Sequence, residues 1–244
     1  MGPLLLLAMT GCAYLVEQRD IPDQVDWSGY VYAGVPADDV PLLEDGTIEI
    51  LDRDGAALAD AEARQDYEDA LGYWTLDVPV DTDVALRLSG ADVVPTLWLG
   101  TTPSGRGYWL GGALYARGAE ETAALFDALD GYQGLAPQAL ADGAIAHLVG
   151  QPWDRDAVAG ATWSATDGAG EDAAVVLLVA DEEGNLSDAG TGPVDMIVAV
   201  NLVPGTVSLQ VDAADGRTGR ADWPAQGGDL ISAMWFQLAE DSNR

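Results

Sequence analysis

The chain has 244 residues, and its 41 acidic side chains outnumber its 10 basic ones, giving a formal net charge of -31. Because phosphate groups are bound by basic surfaces, this charge argues against nucleic acid as a partner and against electrostatic docking on anionic lipid. The single cysteine excludes an internal disulfide framework and a cysteine-based zinc finger.

An uncharged apolar segment, residues 1–11, opens the chain and includes four consecutive leucines, Leu4 to Leu7. A membrane-spanning helix needs about 20 apolar residues, so this run fits the end of a signal peptide instead. It ends at Met9-Thr10-Gly11-Cys12, which resembles a bacterial lipobox. The resemblance implies cleavage after residue 11 and a diacylglycerol on the Cys12 thiol. The alternative is that Cys12 is a small apolar residue in a buried segment.

A polar stretch follows the cysteine, and residues 12–26 are predicted to be a tether. Acyl chains on Cys12 would supply the membrane affinity that such an acidic protein lacks, at about 0.8 kcal/mol per buried methylene. The predicted location is therefore the cell envelope, in the outer membrane and periplasm or at the cell surface. The membrane is the predicted partner, reached through the lipid.

Short apolar segments separated by Gly, Pro and Asp dominate residues 27–117. Several alternate apolar and polar residues, as in Thr47-Ile48-Glu49-Ile50, which is typical of half-buried strands. Asp45-Gly46 and Asp54-Gly55 are turn signals. Strands are predicted at Ser28–Ala33, Thr47–Asp52, Tyr73–Val78, Val84–Ser89, Thr96–Leu99 and Trp109–Tyr115. This spacing predicts a first β-sandwich over residues 27–117.

The pattern changes at Gly118, where helix formers dominate up to Leu129. Leu125, Phe126 and Leu129 would share one face of a helix, with acidic residues in its first turn. Residues 118–141 are therefore predicted to be a short helical connector between two domains.

A second series of short strands is predicted over residues 142–240. The segment Ala173–Ala180 is almost entirely apolar, as a strand buried on both faces would be, and a buried helix is the alternative. The predicted strands are Ala144–Val149, Ala161–Thr166, Ala173–Ala180, Met196–Val200, Val207–Val211 and Leu230–Leu238.

Two motifs in this second half carry a resemblance to a known family. Val158-Ala159-Gly160-Ala161-Thr162-Trp163 is followed, further along the chain, by Asn201-Leu202-Val203-Pro204-Gly205-Thr206-Val207-Ser208-Leu209-Gln210-Val211. Their order resembles the carboxypeptidase regulatory-like domain, a small transthyretin-like β-sandwich. Pro204 would preset the turn and Gly205 would take its positive φ. The segment Gly72–Pro79 resembles the same family more weakly, which implies a tandem pair.

The predicted fold class is therefore all-β, with two tandem small β-sandwich domains of transthyretin or immunoglobulin type joined by a short helix. The resemblance brings no catalytic residues with it, and modules of this kind usually serve as binding or structural elements. The chain is predicted not to be an enzyme.

The only histidine, His147, lies in the middle of a predicted strand. A catalytic triad or an ordinary metal site needs further bases or ligands beside it. A packed or surface histidine is the expected role, and its pKa could make it a pH reporter. No cofactor is predicted.

Calcium is the best candidate for a bound metal, because it takes six to eight oxygen ligands, mostly from loops. Two acidic turns supply such oxygens: Asp52 and Asp54 in one, Asp181 and Glu183 in the other. The alternative is that acidic turns simply follow from an acidic composition.

Eight tryptophans are many for this length. Those in predicted strands are expected to pack in the core. Trp27, Trp153 and Trp223 lie nearer predicted loops, where they could stack on a sugar.

The leading interpretation is a non-enzymatic, lipid-anchored cell-envelope protein with a structural or recognition role. One alternative is a surface module that binds carbohydrate or calcium, and a protein ligand is also open. Another is a soluble acidic intracellular protein of a halophile, because all ten basic residues are arginine.

The charge leads to a prediction about salt. Repulsion among surface carboxylates destabilises the folded state, and salt shortens its range from about 30 Å at 0.01 M to about 8 Å at 0.15 M. We expect the melting temperature to rise over that range of NaCl, measured by differential scanning calorimetry. A flat response would show that surface repulsion does not limit stability.

Overall fold

The computed structural model describes residues 23–34, 43, 46–58, 62–64, 73–102, 109–130, 135–152, 154–181 and 186–236. In these residues the chain is mostly sheet, which confirms the predicted all-β class.

The described residues of the first half form seven strands. The strands are β1 (Gln24–Ala33), β2 (Thr47–Leu51), β3 (Glu62–Arg64), β4 (Tyr73–Pro79), β5 (Asp83–Ser89), β6 (Thr96–Thr101) and β7 (Trp109–Ala116). Side chains alternate between the two faces of a strand, and in β5 both faces are buried: Val84, Leu86 and Leu88 lie on one face, Ala85 and Arg87 on the other.

One α-helix follows, α1 (Ala119–Asp130), close to its predicted position. Thr122 donates a side-chain hydrogen bond to the carbonyl of Gly118 at 2.8 Å, within the first turn. Leu129 is fully buried, and the helix packs on Leu178 and Val198 of the second half. A single 3₁₀ turn, Leu140–Asp142, comes after it.

Nine strands follow within the part of the second half that the structure describes. They are β8 (Ala146–Pro152), β9 (Thr162–Thr166), β10 (Asp172–Ala173), β11 (Val176–Ala180), β12 (Leu186–Asp188), β13 (Met196–Leu202), β14 (Gly205–Asp212), β15 (Thr218–Ala225) and β16 (Leu230–Phe236).

The strands form three sheets. The central sheet has eight strands in the order β12-β11-β13-β8-β16-β6-β5-β2. A four-stranded sheet from the first half has the order β3-β4-β1-β7, and one from the second half has the order β10-β9-β14-β15.

The central sheet has a core on each face. Leu86 and Trp98 on one face pack with Val25 and Val78 of the first-half sheet. Ala85 and its neighbours on the opposite face belong to the core formed with the second-half sheet. Helix α1 packs on the same face of the central sheet as the first-half sheet. Val149 and Leu230 contact the helix, and both side chains point away from the core that the central sheet forms with the second-half sheet.

The two halves share the central sheet through one short contact. β6 and β16 run parallel and pair Thr96 with Leu230 and Leu97 with Ile231. Leu97 and Ile231 are both fully buried in the same core. The first-half strands therefore continue the sheet of the second half.

Three strands were not predicted: β3, β12 and β15. The predicted strand Ala173–Ala180 is divided into β10 and β11, which lie in different sheets. The alternative of a buried helix there is wrong, because Val176–Ala180 pairs with β13 in an antiparallel ladder.

The Pro204-Gly205 motif carries the chain from the central sheet, in β13, to the second-half sheet, in β14. Gly205 has a φ of 135°, as the turn requires a residue without a side chain. Gly168 donates its N–H to the carbonyl of Val203 at 2.9 Å. A Cβ on Gly168 would overlap the carbonyl oxygen of Pro204, so the close approach of the two turns needs glycine.

No helix among the described residues is both long enough and apolar enough to cross a membrane.

Candidate functional site

A cleft of about 320 Å³ opens where the second-half sheet meets the first-half end of the central sheet. We call it the junction cleft. Strands β5 and β6 form its floor, β15 forms one wall, and the turn after β2 forms the other. The residues that determine its chemistry are Arg53, Asp83, Leu99, Thr101, Arg220 and Asp222.

The floor is built from two cross-strand pairs on one face of the central sheet. Ala85 pairs with Leu99, and Asp83 pairs with Thr101. Neighbours of this kind have close side chains, so the floor is apolar at one end and polar at the other. Leu99 is 38% exposed, and few large apolar side chains among the described residues are exposed to this extent. Thr101 donates its hydroxyl to Asp83 Oδ1 at 2.8 Å.

The β15 wall carries a pre-formed ion pair. Arg220 donates from Nε to Asp222 Oδ1 at 3.0 Å and from Nη2 to Ser208 Oγ at 3.2 Å. Ser208 in turn donates to Asp222 Oδ1 at 2.5 Å. Partial burial acts to raise the pKa of Asp222, but these hydrogen bonds and the charges of Arg220 and Arg53 outweigh it and lower that pKa. Asp222 is therefore an ionised acceptor.

Arg53 lies between the two halves. Its Nη2 is 3.6 Å from Asp83 Oδ2 and its side chain is 76% exposed, so this ion pair is loose. The charge of Arg53 also acts on Asp222 across the cleft. The turn that carries Arg53 abuts β15, because a Cβ on Gly55 would touch Pro224 at 3.0 Å.

The junction cleft thus presents two guanidinium groups, two carboxylates and an apolar floor. Arginine only donates hydrogen bonds and an ionised carboxylate only accepts them. The arrangement suits a polar ligand that can do both.

A buried ion pair joins β5 of the first half to Asp229, directly before β16 of the second half. Arg87 in β5 donates from Nε to Asp229 Oδ1 at 3.0 Å and from Nη2 to Asp229 Oδ2 at 2.9 Å. Asp229 also accepts the N–H of Gln226 at 2.7 Å. Burial acts to lower the pKa of Arg87, but its bonds to Asp229 and Glu49 outweigh burial and raise that pKa. This pair holds the halves together beside the short β6–β16 ladder.

His147 is packed, not exposed: its side chain is fully buried. Its Nδ1 accepts the N–H of Asn201 at 2.9 Å, which leaves Nε2 as the donor to the carbonyl of Gln138, also at 2.9 Å. Its ring meets Phe126 edge-on at 4.6 Å. Burial lowers the pKa of His147, and the hydrogen bond to Gln138 opposes that shift only in part.

The predicted calcium ligands do not come together in the described residues. One oxygen of Asp52 accepts the N–H groups of Asp54 and Ala56, each at 2.9 Å, and so shapes its own turn. Asp181 follows β11, and Glu183 lies outside the described residues. Within the part of the chain that the structure describes, no three His, Cys, Asp or Glu side chains form a metal cluster. Calcium binding stays a prediction.

The predicted sugar-stacking tryptophans have separate outcomes. The prediction for Trp223 is wrong, because this residue lies in β15 and is only 2% exposed, inside the core between the two halves. Trp27 lies in β1, but its side chain is not among those described, and Trp153 lies outside the described residues. Trp98 packs as expected and donates from Nε1 to the carbonyl of Tyr115 at 3.0 Å.

The predicted lipidation site, Cys12, and most of the tether lie outside the described residues. β1 begins at Gln24, so the last residues of the predicted tether, 24–26, belong to a strand.

No protein-family profile matches the chain. No curated protein sequence matches it either. Among solved structures, the chain is similar to the Bacillus anthracis TIE protein, with 9% sequence identity and a TM-score of 0.28. The similarity covers 88% of this chain and 35% of that one, so this chain spans about a third of the length of that protein.

The sequence analysis did not find the junction cleft. No binding role was predicted for Arg53 or Asp83, and the segment containing Arg220 and Asp222 was not predicted to be a strand. The available signal was the close spacing of arginine and aspartate in Asp52-Arg53-Asp54 and Arg220-Ala221-Asp222.

Proposed function

We propose that this protein is a non-enzymatic, lipid-anchored protein of the cell envelope with a recognition role. The observation that carries the proposal is the position of Cys12, the only cysteine, directly after an uncharged apolar run that ends in two small residues. Cleavage before Cys12 and acylation of its thiol would leave the β-sandwich body attached by a tether of about a dozen residues before β1.

The recognition role is proposed for the folded body. Its halves are joined by a shared sheet and by the buried Arg87–Asp229 pair, so they would present a single surface to a ligand. The order of the Gly160-Ala161-Thr162 and Pro204-Gly205 motifs favours kinship with carboxypeptidase regulatory-like modules, which serve as binding or structural elements. The junction cleft is the part of this body best suited to recognition.

Intact-mass analysis of the amino-terminal fragment, from protein expressed in its native host, tests the proposal. We expect residues 1–11 to be absent and Cys12 to carry a diacylglycerol. Metabolic labelling with a fatty acid provides a second readout, and the Cys12→Ser variant is the matched control, which should remain unlabelled. A retained Met1 with a free Cys12 thiol would overturn the proposal in favour of a soluble acidic protein, such as a halophile's.

A further inference from the structure

We propose that the junction cleft binds a neutral, hydroxyl-rich ligand the size of a monosaccharide or disaccharide. This inference specifies the recognition role proposed above. It replaces the tryptophan-based sugar site expected from the sequence with one built from arginine–aspartate pairs on an apolar floor.

The size of the cleft limits the ligand. Small-molecule sites range from about 300 to 1,000 Å³, and a cavity of about 320 Å³ lies at the lower end. The cleft therefore suits one or two sugar rings.

The polar groups of the cleft select hydroxyls. Arg53 and Arg220 can only donate, whereas the ionised Asp222 can only accept. A hydroxyl group both donates and accepts, so adjacent hydroxyls of one ring can bridge a guanidinium and a carboxylate. Arg53 is free to reorient for this purpose, since its contact with Asp83 is long and its side chain is exposed. Arg220 and Asp222 are already held in place by Ser208.

The charges of the cleft favour a neutral ligand. Its two arginines are balanced by Asp83 and Asp222, so the site itself offers no net attraction to an anion. The protein's net charge of -31 repels anions further. The same balance means that the site itself offers no net attraction to a cation, which would have to displace Arg53 or Arg220 to reach Asp83 or Asp222. A neutral polyol can instead bond the arginines and aspartates while both ion pairs stay in place.

The apolar floor favours a ring over a linear polyol. Leu99 is exposed at the cleft, beside its cross-strand partner Ala85. One face of a pyranose ring carries mainly C–H groups, which can cover Leu99 while the ring hydroxyls reach the charged rims. Covering this side chain removes apolar surface from water.

Titrations of the full-length chain followed by two-dimensional ¹H–¹⁵N NMR test the inference. The probes are glucose, galactose, mannose, N-acetylglucosamine, maltose and cellobiose, with glucuronate and glucosamine as charged analogues of the same ring. We expect at least one neutral sugar to give saturable shifts of the Leu99, Gly100 and Ala221 amides. The charged analogues should bind more weakly than glucose or not at all.

Two matched variants separate a site from a general charge effect. Arg53→Ala should raise Kd about tenfold or more, because it removes a charged hydrogen-bond donor. Arg155→Ala removes the same charge from an exposed arginine outside the cleft, paired with Asp195 at 3.0 Å, and should leave Kd unchanged. Both residues are exposed, so both variants should retain the wild-type melting temperature.

The inference is overturned if no neutral sugar shifts the cleft amides, if glucuronate or glucosamine binds more tightly than glucose, or if the two variants weaken binding equally. These results are independent of the state of Cys12. Sugar binding with an unmodified Cys12 would overturn only the anchoring proposal, whereas an acylated protein without sugar binding would overturn only this one.

Discussion

Replacing Asp229 with asparagine should destabilise the protein by about 3–5 kcal/mol. Asp229 and Arg87 are both buried and are joined by two hydrogen bonds of 3.0 and 2.9 Å. Asparagine keeps the shape of the side chain but removes the charge. Its NH₂ group would also face an N–H donor of Arg87 in place of a carboxylate oxygen. Arg87 would then remain buried with only the half-exposed Glu49 as a partner. Denaturant unfolding followed by tryptophan fluorescence measures the loss.

Glu49→Gln is the matched control for this substitution. Glu49 bonds the same guanidinium, at 2.8 Å from Oε2 to Arg87 Nη1, but its side chain is 51% exposed. Exposed ion pairs contribute about 1 kcal/mol or less. Equal losses in the two variants would mean that the Asp229 contact does not hold the halves together.

A double variant keeps this test informative if Asp229→Asn is too unstable to study. Replacing Arg87 with methionine and Asp229 with leucine removes both charges together. Because apolar replacement of a whole buried ion pair is often close to neutral, most of the lost stability should return. If the double variant is as unstable as Asp229→Asn alone, an unpaired Arg87 charge is not the cause of the loss.

Many of the strands were predictable because alternating or continuous apolar segments between turn signals are typical of strands. Thr47-Ile48-Glu49-Ile50 shows the alternation that half-burial produces, and it forms β2. β15 shows why others were missed. Its inward residues include Gly219 and Ala221, which give little hydropathy signal, and it contains Pro224, which normally argues against a strand. Proline is tolerated there because β15 is the edge strand of its sheet.

The junction between the halves could not be predicted, because its contacts join distant parts of the chain. Arg87 and Asp229 are 142 residues apart, and neither sits in a motif that points to the other. The same holds for the junction cleft, where Arg53 approaches Asp222 only because the turn after β2 lies against Pro224. Local patterns determine strands, whereas such pairs depend on how the sheets stack.

Replacing His147 should remove part of the loss in unfolding free energy that the protein shows as the pH falls. Burial lowers the pKa of His147 in the folded state, whereas in the unfolded chain it is about 6.5. Below that pH the unfolded chain takes up a proton that the folded protein does not. The free energy of unfolding should therefore be highest above about pH 6.5 and fall as the pH decreases, by at most about 1.4 kcal/mol per unit, until the folded pKa is reached.

The geometry around His147 explains why the proton is excluded. Its Nδ1 accepts the N–H of Asn201, so a second ring proton would face a donor and break that bond. Asn201 holds a left-handed backbone with a φ of 59°, and its side chain also bonds the segment that follows α1, at Ala136 and Gln138. Protonation should therefore loosen the contact between β13 and the segment after the helix.

Denaturant unfolding of the wild type and of His147→Gln between pH 5 and 7.5 measures this effect. Carboxylates titrate in both proteins, and His147 is the only histidine, so the difference between the two curves isolates the imidazole. We expect the wild type to lose stability faster than the variant as the pH falls through 6.5. Parallel curves would contradict the prediction. The imidazole ¹³C shifts of the wild type provide a second test, because they must report a pKa below about 6.5 in the folded state.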